Sequence, residues 1–235
     1  DDTAACARMV ASTGIRADSS NGAWVPGRWQ GHGENRKWIP GYHSYGASSI
    51  RGKHIKTRKN GDIVIDFQGK SNQQNKRVVT ADPRFDPERY RDFYRKLIKK
   101  YDDNPDYAAT REEENLAESY AKLIKSPVVY DPVLHKELSK RAEKAEPDDP
   151  IFPEASYSSL LSYAHDMGDR YDVPELSPHN FRHYQGDRRA KDYLLYCDLY
   201  HPPETEKELL ALIKEVAEAT GAFINDTVSA ARKSY

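Results

Sequence analysis

Ile63-Val-Ile-Asp-Phe-Gln-Gly-Lys-Ser-Asn-Gln-Gln-Asn-Lys-Arg-Val-Val-Thr80 is the stretch whose reading decides the fold. A β-branched apolar run, Ile63–Phe67, leads into a polar tip, Gly69–Asn75, and a second run, Arg77–Thr80, leads out of it. That pattern predicts a hairpin. Working upstream, Lys59-Asn-Gly-Asp62 is a turn signal, and His54–Thr57 and Ala47–Ile50 are expected as further strands. The result is a small antiparallel sheet of about three strands.

Beyond Asp82-Pro83 the pattern turns helical. Helices are expected over Pro87–Lys100, Ala108–Lys125, Pro132–Ala145, Ser156–Tyr171, Pro178–Tyr200, Thr205–Thr220 and Asp226–Tyr235, with one more at Thr3–Ser12 closed by Gly14. Ser177-Pro178 has the residues of a helix start, and Thr205 with Glu208 those of a capping box. The class is therefore α+β: one mainly helical domain, 1–235, carrying a small antiparallel sheet. No internal repeat is read. Asn21–Tyr45 holds all three tryptophans among Gly, Pro and polar residues, as an ordered loop or short hairpin.

The formal net charge is −1, so overall charge does not advertise a polyanion partner. Charge is nevertheless segregated. Arg51 to Arg77 carries eight Lys/Arg against Asp62 and Asp66, and Tyr101 to Tyr120 carries seven acids against Arg111. Two cysteines give neither a disulfide framework nor a zinc motif, and no apolar run is long enough to span a bilayer. A soluble, intracellular protein without a signal peptide is expected.

Five pieces carry the chemistry: Thr13-Gly-Ile-Arg16; Phe67-Gln-Gly-Lys70; His179-Asn-Phe-Arg182; Asn225-Asp226-Thr227; and Arg232-Lys-Ser-Tyr235. A phenol titrates near ~10, so a tyrosine attacks poorly unless cations hold its electrophile. Two arginines can clamp the non-bridging oxygens of a phosphodiester with fork geometry, and a hairpin lysine can protonate a leaving oxygen. The cluster is cationic, which points away from a divalent metal, and no cofactor is called for.

The order Arg, hairpin Lys, His/Lys-x-x-Arg, His or Asn, then Tyr resembles the catalytic signature of type IB DNA topoisomerases and tyrosine recombinases. Tyr45-Gly-Ala-Ser-Ser-Ile-Arg-Gly-Lys-His54, Asp66-Phe-Gln-Gly-Lys-Ser71 and Ala231-Arg-Lys-Ser-Tyr235 resemble poxviral and bacterial type IB enzymes in particular. The resemblance covers Ala4–Ser20, Tyr45–Pro83 and Ser158–Tyr235, and makes 21–44 and 85–150 look like insertions. It implies Tyr235 as nucleophile, Arg16 and Arg182 as phosphate clamps, and Lys70 as general acid. The family's His or Asn, nine residues before the tyrosine, falls on Asp226, whose charge would repel a phosphate oxygen. Asn225, which can donate, is preferred. His179, Arg51, Lys53, His54, Arg232 and Lys233 are expected to contact double-stranded DNA. His179 departs from the topoisomerase lysine and is closer to the recombinase His-x-x-Arg.

The resemblance thus implies a monomer that relaxes supercoils through a 3′-phosphotyrosyl intermediate without ATP or metal. A recombinase with the same chemistry and a non-catalytic DNA-binding relative are the alternatives. The family's small members also carry an N-terminal β-rich clamp domain that nothing here matches, so the expectation is a catalytic-domain fragment, or a clamp whose other half is lost or supplied elsewhere. The Trp-rich 21–44 stretch has two readings, a DNA grip or a packed loop core.

Overall fold

A computed structural model describes residues 1–17, 21–224 and 231. Helix α1 (Asp2–Thr13) is followed by strands β1 (Asn21–Val25), β2 (Arg28–Gln30), β3 (Lys37–Ile39) and β4 (Tyr42–Tyr45). Strands β5 (Ile55–Thr57), β6 (Ile63–Gly69) and β7 (Gln73–Thr80) come next, then helices α2 (Pro87–Asp103) and α3 (Arg111–Lys125). Strand β8 (Val128–Tyr130) precedes α4 (Pro132–Ala142), α5 (Tyr157–Tyr171), α6 (Pro178–Tyr200) and α7 (Glu206–Ile224). The class is α+β.

The expected hairpin is present, with a tighter tip. β6 and β7 pair from Ile63↔Val79 to Gly69↔Gln73, which leaves Lys70–Asn72 as a single 3-10 turn. The sheet has four strands in the order β5-β6-β7-β8, and its last pair is parallel, with Val78↔Val128 and Thr80↔Tyr130. A purely antiparallel sheet was expected, because β8 is only Val-Val-Tyr. Its bracketing prolines, Pro127 and Pro132, were the available signal.

Ala47–Ile50 is not a strand. Ala47–Ser49 is a 3-10 turn in which the Ser49 hydroxyl takes the Gly46 N–H at 2.9 Å and donates back to the Gly46 carbonyl at 3.2 Å. Such local side-chain bonds offer the backbone an alternative to a ladder. Several helix starts are set by their caps: Asp86 accepts from Glu88 N–H, Thr110 from Glu113 N–H and Asp131 from Leu134 N–H.

Residues 85–150 are built into the body. Leu134 and Leu138 of α4 join Met9, Val10, Ile63, Ile65 and Val79 in one fully buried core, while α2, α3, α6 and α7 form a second around Tyr94, Tyr193 and Ala117. Asp131 ties α4 to α1. Arg8 reaches its carboxylate through Nε and Nη2 at 2.8–3.0 Å, and the Ser12 hydroxyl donates to it as well. Burial would raise the Asp131 carboxyl, but the bonds from Arg8, Leu134 N–H and Ser12 bring it below the usual carboxylate range.

Asn21–Tyr45 is a two-stranded ribbon. Pairing runs from Ala23↔Ser44 to Val25↔Tyr42 and resumes in the same register from Arg28↔Ile39 to Gln30↔Lys37. A short repeat that the sequence reading missed lies across the break: Trp24-Val-Pro-Gly27 and Trp38-Ile-Pro-Gly41. Each tryptophan ring covers the glycine of the other copy, where a Cβ would collide with it. The tryptophans are 59%, 54% and 51% exposed, which rules out the packed loop core. Among the described residues no helix is long and apolar enough to cross a membrane.

Asp131→Ala should destabilise the protein by about 1–2 kcal/mol, chiefly through the lost helix cap, because half-exposed Arg8 returns to solvent. A carboxyl depressed in the fold stabilises above its unfolded pKa and loses that contribution as pH falls through the folded value. The gap between native and variant should therefore hold from neutral pH to about 4 and close in stronger acid. Urea unfolding across that range is the measurement, and a gap that widens in acid contradicts the account.

Candidate active site

Helix α1 ends because Gly14 takes the left-handed conformation (φ +65°, ψ 12°) and donates its N–H to the Val10 carbonyl at 3.0 Å. A residue without Cβ adopts that cap at no steric cost. Thr13 tightens the same turn, its hydroxyl donating to the Met9 carbonyl at 2.6 Å and accepting from Ile15 N–H at 3.3 Å. The exit direction is fixed, and Arg16 follows half-buried with its carbonyl accepting Ala47 N–H at 3.0 Å.

A Cβ on Gly14 would lie 3.4 Å from Ile224 Cγ2, 3.5 Å from Phe223 Cε1 and 3.7 Å from Gln185 Cβ. The Arg16 loop therefore starts against the end of α7 and against α6, one turn from Arg182. Arg182 is 3% exposed, and its Nε and Nη2 donate to the Ile224 carbonyl at 3.2 and 2.6 Å. Ile224 belongs to α7, so the guanidinium ties α6 to that helix through a backbone carbonyl.

Two further guanidiniums enclose this point, and the sequence reading assigned neither a role. The Phe223 ring centroid is 4.8 Å from Arg77 Cζ and 3.9 Å from Arg189 Cζ. Arg77 Nε donates to the Thr13 carbonyl at 3.0 Å, bracing the turn before Arg16, and Arg189 donates to the Ile124 and Val128 carbonyls at 2.7 and 2.8 Å. Burial first, then the charges of Arg189 and Arg182, brings the Arg77 pKa down to about 9, so it remains a cation at neutral pH. The available signal was positional, since Arg77 pairs with fully buried Ile65 in a strand that is otherwise apolar at that end.

Lys70 is the exposed first residue of the β6–β7 turn. That turn packs against β4, and a Cβ on Gly69 would be 3.5 Å from the Tyr45 carbonyl. Because β4 runs through Gly46 into Ala47, the Lys70 tip and the Arg16 loop flank one short segment, Tyr45–Ala47.

The remaining expected residues divide in three ways. His179 is exposed in the first turn of α6, its Nε2 in hydrogen-bond contact with His183 Nε2 and the rings 4.1 Å apart. Arg51 and Lys53 face the segment before α5: Arg51 Nη1 donates to the Asp148 carbonyl at 2.8 Å, and Lys53 Nζ pairs with the Asp148 carboxylate at 2.7 Å. His54 is a packing residue at 8% exposure, edge-on to Tyr45, with Nδ1 accepting Arg51 N–H. Burial, then Lys53 and Arg51, lowers its pKa to about 4, so the ring is neutral at physiological pH. Asn225, Arg232, Lys233 and Tyr235 lie outside the described residues, while Ala231 between them is helical and buried.

A cleft of about 330 Å³ lined by Arg8, Arg91, Arg188, Asp131 and Asp192 adjoins this junction and shares Gln185 and Arg189 with it. Its Arg8 and Arg91 are already matched by carboxylates, Arg8 with Asp131 and Arg91 with Asp192. Among the described residues no three His, Cys, Asp or Glu side chains are arranged to hold a metal ion. No protein-family model matches the chain, and no curated protein matches it.

Gly14→Ala should cost about 1–2 kcal/mol, because it puts a Cβ on a residue at positive φ. Equilibrium unfolding measures this, and an unchanged stability would mean that the left-handed cap is not what ends α1.

Proposed function

We propose that the chain is the catalytic domain of a type IB DNA topoisomerase, with the fold of the topoisomerase and tyrosine recombinase superfamily. One observation carries the reading. The Arg16 loop and the Lys70 tip flank Tyr45–Ala47, while Gly14 and Arg182 both meet the end of α7, the helix from which the chain continues toward Tyr235. The five motifs are far apart in sequence, and the three that lie among the described residues adjoin one another through these contacts.

In this reading the Tyr235 phenolic oxygen attacks a backbone phosphorus. A bond forms between tyrosine and the 3′-phosphate, the bond from phosphorus to the 5′-oxygen breaks, and the phenol proton passes to solvent. Arg16 and Arg182 hold the non-bridging oxygens as charge accumulates on them, and Asn225 donates an amide N–H to one of them. Lys70 gives a proton to the departing 5′-oxygen, which would otherwise leave as an alkoxide. The phosphotyrosyl ester retains most of the phosphodiester bond energy, so resealing needs no ATP. Between the two steps the broken strand turns about the intact one and supercoils of either sign relax. The buried cations Arg77 and Arg189 add positive potential behind the phosphate site, in surroundings where water screens little.

Native protein should relax supercoiled plasmid in EDTA without ATP. Lys70→Ala should slow cleavage about a hundredfold or more, and recover on DNA whose leaving 5′-oxygen is replaced by sulfur, which needs no proton. A folded protein that binds DNA but leaves plasmids supercoiled contradicts the proposal. Joining of only two defined sites would favour the recombinase alternative.

A further inference from the structure

The ribbon Asn21–Tyr45 has no part in the proposed chemistry, yet it is rooted beside it. At its base β4 ends at Tyr45, the residue the Lys70 turn packs against, and two residues later Ala47 holds the Arg16 carbonyl. Its distal strands, β2 and β3, pack chiefly on each other, so this half stands away from the body. With pairing continuous in register from Ala23↔Ser44 to Gln30↔Lys37, the arm is about 25 Å long.

Strand alternation places Trp24 and His43 on one face, rings 5.1 Å apart, and Trp29 and Trp38 on the other, rings 5.5 Å apart. Cations border them. Arg28, Arg36 and Lys37 face one acid, Glu34, and Arg36 lies 5.2 Å over the Trp29 ring. A protein docking surface needs one apolar face. An arm with an aromatic pair on each face and a net positive edge suits a partner that surrounds it with negative walls. The major groove of duplex DNA is about 12 Å wide and admits a two-stranded β-ribbon.

We infer that this ribbon is a DNA-gripping arm, lying in the groove of the duplex beside the phosphodiester that Arg16 holds and Lys70 protonates. The inference rests on the proposed function and adds to it a second contact, whose cations meet phosphates and whose indoles cover sugar and base edges.

All three tryptophans of the chain are in the arm, so intrinsic emission reports on it alone. Titrating native protein with a short duplex should change tryptophan emission along the same curve as DNA anisotropy. Arg28→Glu/Arg36→Glu/Lys37→Glu, all exposed positions away from both cores, should bind duplex about tenfold more weakly or worse. Its salt dependence should be flatter by about three counterions, with strand cleavage at saturating DNA unchanged. A normal thermal melt certifies its fold. Unchanged emission in a protein that binds and relaxes DNA overturns the arm and leaves the proposed function standing. Emission that tracks protein concentration without DNA means the arm joins two copies, and overturns it too. Loss of both DNA binding and relaxation in native protein removes the proposed function and the arm together.

Discussion

The site depends on one junction, where the left-handed cap of α1 meets Phe223 and Ile224 of α7 beside a buried arginine. Gly14 leaves just enough room for Ile224 and Phe223, and Arg182 fastens the Ile224 carbonyl from α6. Each contact constrains the other two, because a moved α7 would expose Arg182 and release the turn before Arg16. The fold holds two largely separate cores, and the small cluster of Val129, Phe223 and Ile224 lies at this same junction. Candidate chemistry thus sits where packing leaves the least freedom, as preorganised electrostatics requires.

The concentration of positive charge there is not a way to gain stability. Arg77 is buried against Arg182 and Arg189, and one of its nitrogens, Nη2, has no hydrogen-bond partner among the described residues. Each guanidinium bonds backbone carbonyls, and two of them stack on the Phe223 ring. Burying positive charge costs free energy even where it is hydrogen-bonded.

Some of this was legible in the sequence, because short-range rules governed it. Ile63–Thr80 had period-two apolar runs around a polar tip, and Ser177-Pro178 marked the start of a helix that runs as expected to Tyr200. Other parts were decided by contacts that no window spans. Val128–Tyr130 is a strand only because β7 offers it an edge, and His54 is a core residue only because Tyr45 and Phe67 close over it. Ala47–Ser49 turned on a single serine hydroxyl. The segment 85–150 looked inserted by comparison of lengths, yet Leu134 and Leu138 complete the core beneath α1. Of the candidate site, Arg16, Lys70 and Arg182 were found through motif order, whereas Arg77 and Arg189 were missed because an arginine folded into the interior looks like surface charge on paper.

The central claim is that Tyr235 becomes covalently joined to DNA. The most direct measurement is a denaturant quench of native protein turning over on end-labelled duplex, followed by protease digestion and mass mapping of the labelled peptide. The account predicts a 3′-phosphate carried by the peptide that ends in Arg-Lys-Ser-Tyr235, and no adduct from a Tyr235→Phe variant that still binds DNA. An adduct on any other residue, or one that survives that substitution, would contradict it.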